Sequence, residues 1–241
     1  MGKIEKIMGE KKNEDSEKNF SILIRKQNGQ AIGRLSCVDR VTAKNNFIIA
    51  ALTTWRQRYM KYFMTQFQAT HDRTRKWIED IVIPSHNRIL FLICLLDGEA
   101  IGNFGACNLS KKSGELDNLI RGKKGGDPQL IYFTEIALLN WMFDYLDYDI
   151  VKLRVFSNNY LTIRLHYSVG FSITHVVKLF RQEFNGTVEY IENYKTEYPV
   201  NFSCLHMELS RDIFYNMHPW VEKSVQLKQN TILSTAITGD Q

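Results

Sequence analysis

No uninterrupted apolar run in the 241 residues approaches the roughly 20 that a membrane-spanning helix requires, so a helical membrane bundle is excluded. The opening stretch, MGKIEKIMGEKKNEDSEKNF, lacks the apolar segment of a secretory signal. Lys6 stands where a myristoylated Met-Gly start requires serine or threonine. These absences predict a cytoplasmic chain without membrane contact. Cysteine is scarce: Cys37, Cys94, Cys107 and Cys204 lie far apart, with no paired spacing to hold a metal. Reduced, buried thiols and no metal site are expected. Charge of one sign is not in great excess, with 31 basic against 26 acidic residues and a net +5. That balance suits an anionic ligand, whereas the dispersed cations and core-facing aromatics argue against a nucleic acid partner. Internal repeats and low-complexity linkers are missing too. One domain over 21–220 is predicted, with a solvated tail at 1–20 and a loose one at 221–241.

What is present reads as alternating strands and helices. Asn28-Gly29, between two alternating segments, predicts a β-hairpin in which both residues tolerate positive φ. Residues 43–67 carry Phe47, Ile48, Ala51, Leu52 and Trp55 at helical spacing. In THDRTRKWIEDIVIP, Thr70 is the predicted N-cap, Trp77, Ile78 and Ile81 the buried face, and Pro84 the stop. RILFLICLLDGEAIGNFGACNLS predicts two antiparallel strands joined by a type I′ turn at Asp97-Gly98. A strand in GELDNLIRG follows, then a helix over 130–146 opened by Pro128 and apolar on most sides. A strand at 151–156, a helix from about Asn159 to Val169 capped by Gly170, a turn at Asn185-Gly186 and a last strand in NFSCLHMEL complete the order.

The passage from GELDNLIRG through KKGGDP into a helix is a strand, a glycine-bearing loop and a helix N-terminus. Such a loop can turn several backbone N–H groups toward one point, where the helix adds about half a positive charge. The chemistry suits a phosphate. Neither G-x-G-x-x-G nor the G-K-[ST] loop is present, which removes the dinucleotide-binding and nucleotide-hydrolysing readings.

VFSNNYLTIRLHYSVGF supplies a second motif. Asn159, Thr162, Ile163, Leu165, His166 and Gly170-Phe171 resemble the N-x-x-[AS]-[IL]-x-L-[YH]-x-x-x-G-F pattern of the GNAT superfamily of acyl-CoA-dependent N-acyltransferases. Glu115 to Trp141 resembles that family's pyrophosphate-binding strand, loop and helix, with a longer loop than the usual [RQ]-x-x-G-x-[GA]. The resemblance implies a single α/β (α+β) domain with a central mixed, mostly antiparallel sheet, two splayed parallel strands and flanking helices. It implies acetyl-CoA as cofactor, with Leu119, Ile120 and Arg121 along the pantetheine, Gly122, Lys123, Lys124, Gly125 and Gly126 around the pyrophosphate, and Asn159 near the cofactor chain. His166, or Tyr167 one step on, would protonate the leaving thiolate. Glu115 or Asp117, on one face of their strand, would take the ammonium proton, directly or through water.

Within the family the sequence resembles the branch acting on ribosomal proteins and small amines, and most of all enzymes acting on amino sugars of bacterial surface glycans. The expected acceptor is a primary amine on an amino sugar, nucleotide-linked, with Arg56, Arg58, Lys61, Arg73, Arg75 and Lys76 available to an anion. A protein N-terminus, a lysine, or a non-catalytic acyl-CoA sensor are the alternatives, and the oligomeric state, a homodimer among the options, stays open.

Overall fold

The computed structural model describes Gly9, residues 20–192 and residues 199–221. The two predicted tails lie almost wholly outside the described residues. Strands β1 (Ser21–Arg25), β2 (Ala31–Cys37), β3 (Thr65–Gln66), β4 (Ile89–Cys94), β5 (Ala100–Cys107), β6 (Ser113–Arg121), β7 (Ile150–Phe156), β8 (Ser172–Phe184), β9 (Thr187–Glu192) and β10 (Ser203–Ser210) form one sheet. Its order is β1-β2-β4-β5-β6-β7-β10-β8-β9-β3. Every pairing is antiparallel except β6 with β7.

Helices cover both faces. α1 (Arg40–Lys44), α2 (Asn46–Tyr59), α3 (His71–Lys76) and the π-turn that continues it (Trp77–Val82) bury Ile49, Leu52, Trp55 and Ile78 against Leu90, Leu92 and Ile120 on one side. α4 (Leu130–Asn140), α5 (Tyr160–Val169) and α6 (Arg211–Met217) meet Leu116, Leu153, Val155 and Met207 on the other. Alternation along β7, β10 and the first half of β6 makes this division: these stretches send their aliphatic residues toward α4 and their charged ones the opposite way. The four cysteines are free and buried, as the sequence predicts.

Three predicted details differ. The helix foreseen over 43–67 breaks at Asn45, whose side chain accepts the N–H groups of Phe47 and Ile48 and starts α2 afresh. That restart turns Phe47 outward, 88% exposed, and sends Ile49 inward instead. Thr70 caps α3 as predicted, but a π-turn over Trp77–Val82 shifts the buried face to Ile78, Val82 and Ile83 and leaves Ile81 51% exposed. At Asn28-Gly29 and Asp97-Gly98 only the glycine has positive φ, and the chain closes with a register shift after each turn rather than a type I′ turn. Asn185-Gly186, with φ of 49° and 72°, has both central residues left-handed. Short elements that the pattern does not announce, α6 and β3, complete the fold; β3 pairs with β9 and so ties the end of α2 to the far end of the sheet.

Candidate acyl-transfer site

β6 and β7 run parallel and pair at four positions, from Ser113 with Ile150 to Leu116 with Leu153. There the ladder stops, although β6 continues to Arg121 and β7 to Phe156. Over Asp117–Arg121 the edge of β6 that faces β7 therefore has no strand partner among the described residues, and the two strands form a fork. A bulge sits at the branching point: Asn118 has φ of 56°, and the register of β6 against β5 shifts there. The Asn103 amide holds the bulge by donating to the Asn118 carbonyl at 2.6 Å. The shift also re-aims the side chains, with Leu116 packed toward α4 and Ile120 toward α2.

Ion pairs line the helix α2 side of the fork. Arg154, the first β7 residue past the ladder, donates Nε to Glu115 Oε1 at 2.8 Å and reaches Glu192 Oε1 at 3.4 Å. Burial alone would depress its pKa, but Glu115 and Glu192 outweigh that and raise it. The second Glu115 oxygen accepts from Asn108 Nδ2 at 2.8 Å. Asp117, the first β6 residue past the ladder, takes Arg88 and the Asn118 amide on Oδ2. Its Oδ1 takes no bond from the described residues. Arg56 comes down from α2 to the bulge, donating to Asn118 Oδ1 at 3.2 Å and stacking on Phe63 at 3.4 Å. Burial pulls this guanidinium down to about 10 against the pull of Asp117, and its Nε has no partner.

Sequence reasoning missed Glu192 and His206 in this lattice. His206 Nε2 lies 2.9 Å from Glu192 Oε2. Strand alternation was the available signal, since Cys204 and His206 share the β10 face opposite the aliphatic Leu205 and Met207. The carboxylate, thiol and imidazole of Glu192, Cys204 and His206 lie within 4.8 Å of one another. Arg154 beside Glu192 already supplies the positive charge there.

The loop between β6 and α4 divides in two. The N–H groups of Gly122 and Lys123 both go to the Ile101 carbonyl, and the Gly122 carbonyl accepts from Arg58. These groups are therefore turned to the protein, so the predicted cradle over 122–126 is shorter than the sequence suggested. A Cβ on Gly122 would fall inside the Trp55 indole. Gly122→Ala is accordingly expected to destabilise the protein by about 1–3 kcal/mol through overpacking, read as a lower urea midpoint with an unchanged slope. An unaltered midpoint would mean that α2 is not seated on this loop.

Beyond Lys123, the N–H groups of Lys124, Gly125, Gly126 and Asp127 take no acceptor among the described residues. Gly125 and Gly126 are exposed with φ of 143° and 69°, conformations that suit glycine. Lys124 projects beside them without an ion-pair partner among the described residues, whereas Lys123 pairs with Glu99. Arg121 Nη2 holds the Gly125 carbonyl at 3.0 Å. Asp127, paired with Lys26, accepts the Gln129 N–H at 2.8 Å and Lys26 Nζ at 2.9 Å. Those bonds hold its pKa below the ordinary carboxylate range. Four unclaimed donors at a helix start, with one free cation, fit a pyrophosphate.

Across the fork, Asn159 opens α5 without a side-chain cap bond, and Gly170 closes it with φ of 115°. His166 is buried, its Nδ1 lying 2.6 Å from Glu135 Oε1 on α4, with Phe171 edge-on at 5.6 Å. Tyr167 turns outward and is 46% exposed. Leu119 is half-buried beside the α4 core and Ile120 packs under α2. Arg73 stacks on Phe67, and Arg75 holds the Ala43 carbonyl and the Asn46 side chain. Most cations that the sequence offered to an anion thus hold the helical cap together.

A forked parallel pair, a bulge on the first strand and unclaimed N–H donors ahead of α4 are the arrangement expected of an acyl-CoA-dependent transferase. The chain belongs to the GNAT acetyltransferases: the family model for the acetyltransferase (GNAT) domain matches residues 42–191, and acetyl-CoA is the acyl donor. Among solved structures it is similar to spermidine N-acetyltransferase from Vibrio cholerae in complex with CoA and spermine, with 16% identity and a TM-score of 0.57, covering 76% of this chain and 97% of that one. It is similar also to FdhC, a nucleotide-linked sugar GNAT, with 10% identity and a TM-score of 0.55 over 77% of this chain and 90% of that one. RimL, a ribosomal L7/L12 alpha-N-protein acetyltransferase, gives 11% identity and a TM-score of 0.56 over 74% and 90%. At these identities the likeness is one of fold. No curated protein matches the chain. Among the described residues no helix is long and apolar enough to cross a membrane.

Proposed function

We propose that this protein transfers an acetyl group to the primary amine of a polyhydroxylated acceptor, an amino sugar carried on a nucleotide. When bound, acetyl-CoA supplies the activated acyl group and a thiolate leaving group. Lys124 and the N–H groups of Lys124, Gly125, Gly126 and Asp127 hold the pyrophosphate. The unpaired β6 edge over Leu119, Ile120 and Arg121 offers main-chain hydrogen bonds to the cofactor's amides, and the Asn159 amide, which makes no cap bond at the start of α5, is available to the cofactor chain. His166 gives the proton that the departing sulfur needs. Asp117 Oδ1, at the fork and free of donors, receives the ammonium proton. Glu115, saturated by Arg154 and Asn108, keeps the lattice in place.

The observation that carries the choice of acceptor is the charge balance at the fork. Glu115 and Glu192 share Arg154, Asp117 pairs with Arg88, and Arg56 stands beside Asp117, so three carboxylates meet three guanidinium groups. A polyamine needs carboxylates that are not already neutralised; alternating guanidinium and carboxylate groups instead offer the mixed donors and acceptors that sugar hydroxyls use. FdhC adds support as a solved neighbour named for a nucleotide-linked sugar. Thiol release from acetyl-CoA is to be followed with amino sugars, nucleotide amino sugars, polyamines and peptides. Turnover with the sugars, highest with the nucleotide-linked ones, is expected. Reaction with peptides alone, dependent on flanking residues, would replace the acceptor while keeping the chemistry; binding of acetyl-CoA with no turnover on any amine would leave a sensor.

A further inference from the structure

Glu135 is the one charged residue between Leu130 and Phe143. Its side chain is fully buried at the α4–α5 contact. One oxygen lies 2.6 Å from His166 Nδ1, and the other, Oε2, is buried with no partner. Taking a carboxylate out of water costs several kcal/mol, and a pair of apolar side chains would pack the same two helices without that penalty. Helix packing therefore does not account for this residue. What it does provide is direction. A carboxylate only accepts hydrogen bonds, so the shared hydrogen sits on Nδ1 and the ring is locked in one tautomer. The other nitrogen, Nε2, takes no bond from the described residues, and the Phe171 edge limits rotation of the ring.

We propose that Glu135 is a positioning residue for acyl transfer, holding the hydrogen of His166 Nδ1 so that Nε2 is the nitrogen that gives up and regains the proton. The idea rests on the role assigned to His166 above. In the step concerned, the new C–N bond forms and the C–S bond breaks, the sulfur keeps the electron pair, and the proton on Nε2 passes to it. The ring is left neutral with its hydrogen on Nδ1, still donated to Glu135. The nitrogen loses two protons on the way from ammonium to amide: the one that Asp117 takes before attack leaves to solvent, and the one lost as the C–N bond forms returns to Nε2 through solvent. Without the carboxylate, a neutral ring can place its hydrogen on either nitrogen and rotate, and only part of the population remains productive.

Two measurements on the full chain test this. In protein labelled with 15N-histidine, the neutral His166 ring should show hydrogen on Nδ1, and Glu135→Gln should remove that preference because an amide can donate as well as accept. In acetyl transfer to the best amine of the panel, Glu135→Gln should lower kcat by about 10–100-fold, the range seen when a group orienting a functional histidine is removed, with the KM for acetyl-CoA within about 2-fold. On a His166→Gln background the same substitution should have no further effect on kcat. A folded Glu135→Gln protein with unaltered kcat, or an unmodified protein whose neutral His166 carries its hydrogen on Nε2, overturns the proposal. If Glu135→Gln does not fold, the tautomer of the unmodified protein decides alone. Absence of transfer to any amine would count against the enzyme reading, while the tautomer measurement would still decide whether Glu135 holds the ring.

Discussion

His166→Ala is expected to lower the stability of the protein by about 3–5 kcal/mol, the usual penalty for removing one member of a buried charged pair. Its neighbourhood explains the size. Glu135 loses its one partner among the described residues, and both oxygens of a side chain with no exposed surface are then unsatisfied. Glu135→Leu relieves the carboxylate but leaves His166 Nδ1 unpaired, so it should cost less, about 1–3 kcal/mol. The double variant Glu135→Leu/His166→Phe should recover most of the loss, because apolar groups of similar volume replace such pairs at little or no cost. With His166→Phe as the matching single variant, urea unfolding of the unmodified protein, Glu135→Leu, His166→Phe and the double variant gives the coupling directly, and a value of several kcal/mol is expected where independent sites add within about 0.5 kcal/mol. Simple additivity would mean that the two side chains are not bonded. The same result warns against reading a lost activity of His166→Ala as chemistry alone, since assays must be run well below its melting temperature.

The course of the chain was legible where local chemistry decides it. Gly170 stops α5, Thr70 starts α3, and the apolar run opened by Pro128 becomes the most buried helix, because each of these signals acts within a turn of its own residue. Long-range consequences were not legible. The bulge at Asn118 depends on a bond from Asn103 on the neighbouring strand, and it changes which face Ile120 and Arg121 occupy. The choice between a two-residue turn and a bulged one at Asn28-Gly29 depends on the register of both strands. Glu115 and Asp117 were found by alternation, but whether a carboxylate is free or committed depends on Arg154, Asn108 and Arg88, brought from β7, the turn after β5 and the segment before β4. Gly122 was read as a ligand-facing glycine and proves to be a packing glycine beneath Trp55. Glu135 could have been noticed, as a single charge in an otherwise apolar helix surface.

Arg154→Met should reduce acceptor turnover on the order of 10²-fold, while the KM for acetyl-CoA stays close to that of the unmodified protein. Arg154 stands on β7 at the position where the parallel ladder ends, and it is the cation shared by Glu115 from β6 and Glu192 from β9. Without it, two partly buried carboxylates face each other across the fork, and mutual repulsion moves them apart or draws in a proton. Glu192 then no longer fixes His206, and the groups proposed to surround the acceptor amine lose their spacing. A displacement of about 1 Å in such a site is enough for a 10²-fold loss. The donors proposed for the pyrophosphate lie past the far end of β6, in the loop before α4, so cofactor affinity is expected to be insulated from the change. Arg154→Lys makes the sharper comparison. A lysine restores the charge but not the planar fork that reaches both carboxylates, so it should regain only part of the turnover. Equal loss in the KM of both substrates would indicate that the strands themselves had shifted, and full activity in Arg154→Met would place the acceptor away from this lattice.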